Sequence, residues 1–277
     1  MQINKVLARS ILNKSKITNY TINCYTGCQH SCIYCYARFM RRFTNHKERW
    51  GSFVDAKVNA PDLLEKQLNR PDVNGEVMMS SVCDGWQGPE EYFKLSRRCL
   101  EILLVKSKLS VTILTKSFLI NRDFDILERF KERINLGITI TTLEPSIQRL
   151  IEPYSSKTDE RLSLLKEAKD RLINTYAFVG PLIPGFSDTE ESLNNIFKHL
   201  GLLGISKIYV DKLNYFNWFY RDIKEILRPR YPKTFNIYFE PLRNPIKVDF
   251  YTRDLENRVK KIAKKYNLED RISILFC

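Results

Sequence analysis

The stretch Cys28-Gln29-His30-Ser31-Cys32-Ile33-Tyr34-Cys35 follows the run Ile17-Thr18-Asn19-Tyr20-Thr21-Ile22-Asn23, whose β-branched and aromatic residues predict a strand. The three thiols, at offsets of four and three, therefore fall on a loop at a strand's carboxyl end, where α/β barrels place their chemistry. Thiolates select zinc or iron-sulfur clusters. Four ligands would close such a centre; this group supplies three, and a [4Fe-4S] cube held by three cysteines leaves one iron open to an exogenous ligand. Cys24, four residues before Cys28, offers a structural zinc site as the alternative, although zinc ligands usually come in pairs separated by a longer spacer. A disulfide is the weaker reading, because Met1-Gln2-Ile3-Asn4-Lys5 does not lead into a signal-type apolar region.

Outward from this loop, helix and strand patterns alternate. Helical spacing covers residues 62–69, 89–105, 123–133, 159–172 and 189–200, with Leu95, Cys99, Ile102 and Leu103 at core-facing intervals. Strand patterns cover 76–81, 110–114, 134–141, 175–179 and 207–211. With the first strand this makes six, and the expected fold is an α/β partial (β/α)6 barrel of parallel strands with right-handed crossovers. After Lys212 the periodicity changes: residues 214–220 are aromatic, Arg228-Pro229-Arg230-Tyr231-Pro232 breaks the pattern, and a helix (253–266) precedes a last strand (272–276). The expected organisation is a peripheral arm (1–16), a barrel core (17–212) and a C-terminal α+β extension covering the barrel's open side (213–277). No linker rich in Gly, Pro or Ser, no repeat and no low-complexity tract interrupts it.

At 277 residues and 43% hydrophobic content, the chain suffices for one large domain. No apolar run approaches the roughly 18 to 20 residues that span a bilayer, so no membrane role and a cytoplasmic location are expected. The formal charge is +13. Residues 1–60 hold ten lysines and arginines against Glu48 and Asp55, an electrostatic footprint suited to a polyanion such as nucleic acid. Arg38, Arg41, Arg42, Lys47 and Arg49 interleave with Phe39, Phe43 and Trp50, a mixture suited to stacking on bases. A solvated basic surface, or a segment folded over the cluster, accounts for the same residues.

The Cys-x3-Cys-x2-Cys pattern with an aromatic before its last cysteine resembles the radical S-adenosylmethionine superfamily, in which the open iron binds the cofactor's amino and carboxylate groups. Further stretches resemble its spore photoproduct lyase-like, or DNA repair photolyase-like, branch: Tyr25-Thr26-Gly27-Cys28 running into Cys35-Tyr36-Ala37-Arg38, Cys83-Asp84-Gly85-Trp86-Gln87-Gly88-Pro89-Glu90, Leu114-Thr115-Lys116-Ser117, Asn121-Arg122-Asp123, Ile151-Glu152-Pro153 with Arg161, and Gly180-Pro181-Leu182-Ile183-Pro184-Gly185. The resemblance implies a lyase-like radical enzyme with a [4Fe-4S] cluster on Cys28, Cys32 and Cys35. One electron from an external low-potential donor then cleaves S-adenosylmethionine to a 5′-deoxyadenosyl radical, which abstracts a substrate hydrogen. The protein's task is placement and exclusion of water.

Such a cofactor needs a cation for its carboxylate and polar contacts with a flat wall for its adenosine. Lys116, just past a strand end, suits the carboxylate, and the resemblance places a lysine there. Thr139 and Thr141 share a strand face and suit the ribose or amino group, Tyr34 suits the adenine, and Asp84 lies where a barrel mouth carries polar residues. In spore photoproduct lyases a cysteine three residues before the aspartate returns hydrogen to the product radical. Ser81 stands at that position here, and Cys83, two residues on, is the candidate donor. Arg122-Asp123 and Glu152-Arg161 read as structural ion pairs, His30 as a cluster-tuning or solvated residue, and Trp86 as a possible substrate wall. Cys24, Cys99 and Cys277 have no assigned role. Three functions follow: a radical enzyme on nucleic acid, one on a peptide or small metabolite, or a non-catalytic metal-binding module.

Overall fold

Residues 1–214 and 217–276 are described by a computed structural model; Tyr215 and Phe216 of the aromatic run, and Cys277, lie outside the described residues. The strands in chain order are β1 (Gln2–Val6), β2 (Asn13–Lys14), β3 (Tyr20–Ile22), β4 (Tyr25–Thr26), β5 (Phe53–Lys57), β6 (Glu76–Met79), β7 (Ser110–Thr115), β8 (Ile134–Ile140), β9 (Asn174–Leu182), β10 (Lys207–Lys212) and β11 (Ile272–Ile274). Eight of them form one sheet in the order β11-β10-β9-β8-β7-β6-β3-β2. From β3 through β6, β7, β8 and β9 to β10 every neighbouring pair is parallel. The six strands expected from the alternating pattern are therefore adjacent in space in the order they occur along the chain, as an α/β partial barrel requires. Parallel strands covered on both faces read as continuous apolar runs, and β8 is buried at every position except Asn135. Gly137 in that strand makes room for its neighbour, since a Cβ there would lie 2.0 Å from the Tyr176 ring of β9.

The predicted helix over 89–105 is two helices, Pro89–Phe93 and Leu95–Lys106, separated at Lys94 in the left-handed region (φ 51°). The buried carboxylate of Glu90 accepts from the Ser96 and Arg97 amides at 2.9 and 3.1 Å. It thereby satisfies donors that the start of a helix leaves open, and the second helix begins where the first would have continued. Its face carries Leu95, Cys99 and Leu103 inward as spaced, while Ile102 is partly buried. The segment 123–133 is a short α-helix, Phe124–Arg129, flanked by 3-10 turns. Helix Pro145–Ile151, capped by the Glu144 carboxylate accepting from the Ser146 amide, was not apparent from the sequence pattern.

Two further unpredicted strands, β1 and β5, pair in parallel, and β4 joins β5 antiparallel to make a three-stranded sheet. β1 is polar and largely exposed, so it lacks the alternation that marks a half-buried strand. β5 sits within the basic, aromatic segment. This small sheet fixes the start of the cysteine loop: Gly27, at φ +89°, lies so close to the Phe53 carbonyl that a Cβ would approach it to 2.3 Å. At the other end of the chain, β11 adds in parallel to the β10 edge, with Ile272 opposite Ile208.

Candidate active site at the barrel mouth

The carboxyl ends of the core strands surround a cavity of about 360 Å³. Cys28, Cys32 and Cys35 enter it from the loop after β4, Ser81, Cys83 and Asp84 from the end of β6, Lys116 from β7, Thr139 from β8, Gly180 and Pro181 from β9, and Asp211 from β10. The cysteine loop is held by its backbone. The Gln29 amide donates to Gln87 Oε1 (2.7 Å), Gln87 Nε2 donates to the Gly27 carbonyl (3.1 Å), and the Ile33 amide donates to the Ile151 carbonyl (3.0 Å). The Arg38 guanidinium donates to the carbonyls of Ile33 (2.7 Å) and Cys35 (3.1 Å) and pairs with Asp222 at 2.5 Å.

All three thiols are free of disulfides; Cys28 and Cys32 are buried and Cys35 half-buried. Burial pushes each of them up, Cys32 to about 12. They are therefore protonated until a metal displaces the proton. Among the described residues no three His, Cys, Asp or Glu side chains meet closely enough to chelate a single ion; the thiols line a shared space instead. Cys24 is absent from that lining. It is buried against Cys99, whose hydrogen bond, with desolvation, raises it well above the usual thiol range. The fourth-ligand alternative thus has Cys24 facing the core.

Lys116 extends into the cavity with its Nζ 5.8 Å from the centre of the Tyr34 ring, and among the described residues it has no ion-pair partner. Thr139 carries a buried hydroxyl that has no hydrogen-bond partner among the described residues, an orphan of the kind that a bound molecule satisfies. An unpaired cation, an orphan hydroxyl and an aromatic face, grouped beside three thiols, match the donor set that a cluster and an amino-acid cofactor with an aromatic base require.

Thr141 does not join Thr139. β8 ends at Ile140, so the alternation of faces fails one residue beyond it. The Thr141 hydroxyl donates to Glu152 Oε1 (2.6 Å) and is fully buried behind the wall. Tyr34 likewise donates its hydroxyl to Glu152 while its ring faces the cavity. Glu152 pairs with the fully buried Arg161 at 2.5 Å, and Arg161 donates to the Thr139 carbonyl at 3.1 Å. Burial pushes the Glu152 carboxyl up, but the charges of Arg161 and Lys116 and the hydrogen bonds from Arg161 and Thr141 outweigh it and hold the group at about 2.

Asp84 lies in the lining, yet its carboxylate accepts from the Thr115 hydroxyl (2.7 Å), the Lys116 amide (2.7 Å) and the Trp86 amide (2.9 Å). Its visible work is to fix the backbone from which Lys116 projects. His30, read from sequence as either tuning or solvated, is buried with Nδ1 3.5 Å from Asp84 Oδ2. Burial lowers its affinity for a proton against the pull of Asp84. Trp86 is fully buried and donates to Asp123 at 2.7 Å, so it belongs to the scaffold. The Cys83 thiol lines the cavity, donates to the Tyr25 carbonyl at 3.1 Å, and is pushed by burial to about 12.

Asp211 escaped the sequence reading as a site residue, and Tyr36 entered it only within longer motifs; both line the cavity. Asp211 is the next-to-last residue of the last core strand, and burial raises its carboxyl to about 6; the strand-end rule that selected Lys116 points to it as well. Tyr36 is half-exposed at the mouth and donates its hydroxyl to the Ser81 carbonyl. The basic segment beside it divides. Arg38 and Arg49 both pair with Asp222, at 2.5 and 3.0 Å, and Trp50 is buried. Arg38 and Trp50 serve the fold, Arg49 is paired yet exposed, and Arg41, Arg42, Phe43 and Lys47 are exposed as well.

The chain is 34% identical over 267 residues to an uncharacterised protein of Methanocaldococcus jannaschii, covering 94% of each, and 25% identical over 283 residues to one of Mycobacterium bovis, covering 96% of this chain and 81% of the relative. In fold it is similar to spore photoproduct lyase complexed with dinucleoside spore photoproduct (TM-score 0.73, 16% identity, 99% of this chain and 82% of that one). It is also similar to Streptococcus suis SuiB bound to precursor peptide SuiA (TM-score 0.56, 15% identity, 93% and 48%). No helix among the described residues is long and apolar enough to cross a membrane. The family model of the radical SAM superfamily matches residues 22–198, the span that carries the cysteine loop, Lys116 and Thr139, and the chain accordingly belongs to that superfamily, whose enzymes use a [4Fe-4S] cluster and S-adenosylmethionine.

Proposed function

We propose that Cys28, Cys32 and Cys35 hold the [4Fe-4S] cluster, that Lys116, Thr139 and Tyr34 hold S-adenosylmethionine, and that the substrate is a nucleic acid. The observation that carries the cofactor assignment is the meeting, in one cavity, of three thiols with a cation that lacks an ion-pair partner, and a buried hydroxyl that lacks a hydrogen-bond partner, among the described residues. When bound, the cofactor pair supplies a 5′-deoxyadenosyl radical after one-electron reduction by an external low-potential donor. Lys116 donates to the cofactor carboxylate, the Thr139 hydroxyl takes a polar atom of the same molecule, and the Tyr34 ring forms a flat wall. Glu152 and Arg161 hold Tyr34 in place and keep their charges neutralised by each other. Cys83, with its S–H directed at the Tyr25 carbonyl, is the candidate to return a hydrogen atom to a substrate radical.

The substrate assignment rests on charge. The chain carries +13 overall, and Arg41, Arg42 and Lys47 remain exposed beside the loop after the fold has taken Arg38 and Arg49. Phosphate contacts of this kind release counterions, so affinity falls as salt rises. The test is to measure binding of DNA and RNA fragments across a salt series, together with 5′-deoxyadenosine released under reducing anaerobic conditions with each polymer. Binding that weakens steeply with salt, and product that rises with one polymer, is the expected result. Indifference to salt, or no binding at low salt, moves the substrate to a peptide or metabolite and leaves the cofactor assignment standing.

A further inference from the structure

We propose that the outer ridge of the Tyr36–Phe43 helix is a platform on which the bases of a single-stranded segment stack on their way into the cavity. This inference rests on the nucleic-acid reading above and specifies the form of that substrate.

The segment is a 3-10 helix, in which side chains three apart eclipse one another. Tyr36, Phe39 and Arg42 therefore share one ridge, and Phe43, the last residue of the helix, joins the row of rings through its contact with Phe39. Its inner end is fixed at the mouth, because Tyr36 lines the cavity and donates to the Ser81 carbonyl. The Tyr36 and Phe39 rings stack with centroids 6.5 Å apart and planes 27° apart, and Phe43 meets Phe39 edge-on at 6.4 Å. Both ends of this row are exposed, Tyr36 by 50% and Phe43 by 75%, with Phe39 half-buried between them.

Three exposed or half-exposed rings in a row cost the protein solubility unless something covers them. The first turn of the helix is firmly anchored: Ala37 is buried, and Arg38 is tied to Asp222 and to three carbonyls of the cysteine loop. The rings are thus held outward on a fixed base. Arg41 and Arg42 are exposed on the same helix and Lys47 lies just beyond it, so the apolar row is flanked by positive charge. A chain of planar apolar rings joined by anionic linkers is the ligand that satisfies both features at once. Such stacking is available only to bases not already paired in a duplex, and a base must leave its stack before an enzyme can reach its atoms.

The experiment measures binding of fluorescent single-stranded DNA and RNA, and of the matching duplexes, to parent, Phe43→Ala, Phe43→Trp and Arg42→Gln proteins, each checked for parental iron content. Phe43 is the most exposed ring, so its replacement leaves the core untouched. The expected result is tighter binding of single strands than duplexes in the parent. Phe43→Ala should weaken single-strand binding about five- to 150-fold with the salt slope unchanged, as expected for one lost base stack. Phe43→Trp should restore it, and Arg42→Gln should lower the slope by about one contact. Equal affinity in Phe43→Ala and parent overturns the platform while leaving a charge-bound nucleic acid in place. Duplex binding as tight as single-strand binding does the same. Failure of the parent to bind either polymer at low salt removes both the platform and the substrate reading. A dimer in sedimentation that Phe43→Ala dissolves assigns the ridge to contact between copies and overturns the platform as well.

Discussion

The two sides of the cavity treat a buried carboxylate in opposite ways. Behind the β8 wall, Glu152 is enclosed by Arg161, Tyr34 and Thr141, and despite complete burial it stays ionised down to about 2. On the β10 wall, desolvation of Asp211 outweighs the amide and the charge of Lys212, and its carboxyl rises to about 6. The first arrangement is a finished scaffold, with its donors and acceptors used within the protein. The second, like Lys116 and the Thr139 hydroxyl, faces the space that a ligand would fill. Residues useful to a ligand are those whose own needs the protein has left unmet, and residue type alone does not separate the two groups.

The strongest way to break this contrast is to remove one partner of the scaffold pair. Glu152→Gln leaves Arg161 buried without its counter-charge, and chemical denaturation should show a loss of about 3–5 kcal/mol in unfolding free energy. A loss within experimental error would make Glu152 a dispensable residue. Smaller, and aimed at the ligand-facing set, Lys116→Ala should weaken S-adenosylmethionine binding about ten- to a hundred-fold, the range for a hydrogen bond to a charged group. Its iron content should stay at the parental value; unchanged affinity would take Lys116 out of the site.

The contrast also predicts opposite pH dependences. Glu152 is held below its ordinary value, so its contribution to stability is present above about pH 4.5 and is lost as pH falls toward 2. Asp211 is held above its ordinary 3.8, so the folded state loses stability as pH rises from about 4 to about 6. Asp211→Asn should therefore melt slightly above the parent at pH 7, with the gap closing near pH 4. A gap that widens in acid would reverse the assignment.

The strand order was legible because short apolar or β-branched stretches alternate with helical segments along the chain, most plainly in β7 and β8, which are buried at most positions. β1 stayed hidden because an exposed, polar strand has no such pattern. The thiols and Lys116 were legible as residues at strand ends. Thr141 misled because the period-two rule was carried one residue past the end of β8. Arg38, Arg49 and Trp50 misled because a basic, aromatic segment reads alike whether it faces solvent or grips Asp222, and that partner lies far away in the chain. Ligand spacing already set Cys24 apart from the other three thiols, and the fold buries it against Cys99.

The central claim is that Cys28, Cys32 and Cys35, without Cys24, form the cluster site. The direct measurement is metal content per chain after anaerobic reconstitution with iron and sulfide, for the parent, Cys32→Ala and Cys24→Ala. The account predicts about four irons in the parent and in Cys24→Ala, and loss of the cluster in Cys32→Ala. Tightly bound zinc in place of iron, or a Cys24→Ala protein that loses its metal as completely as Cys32→Ala does, would contradict it.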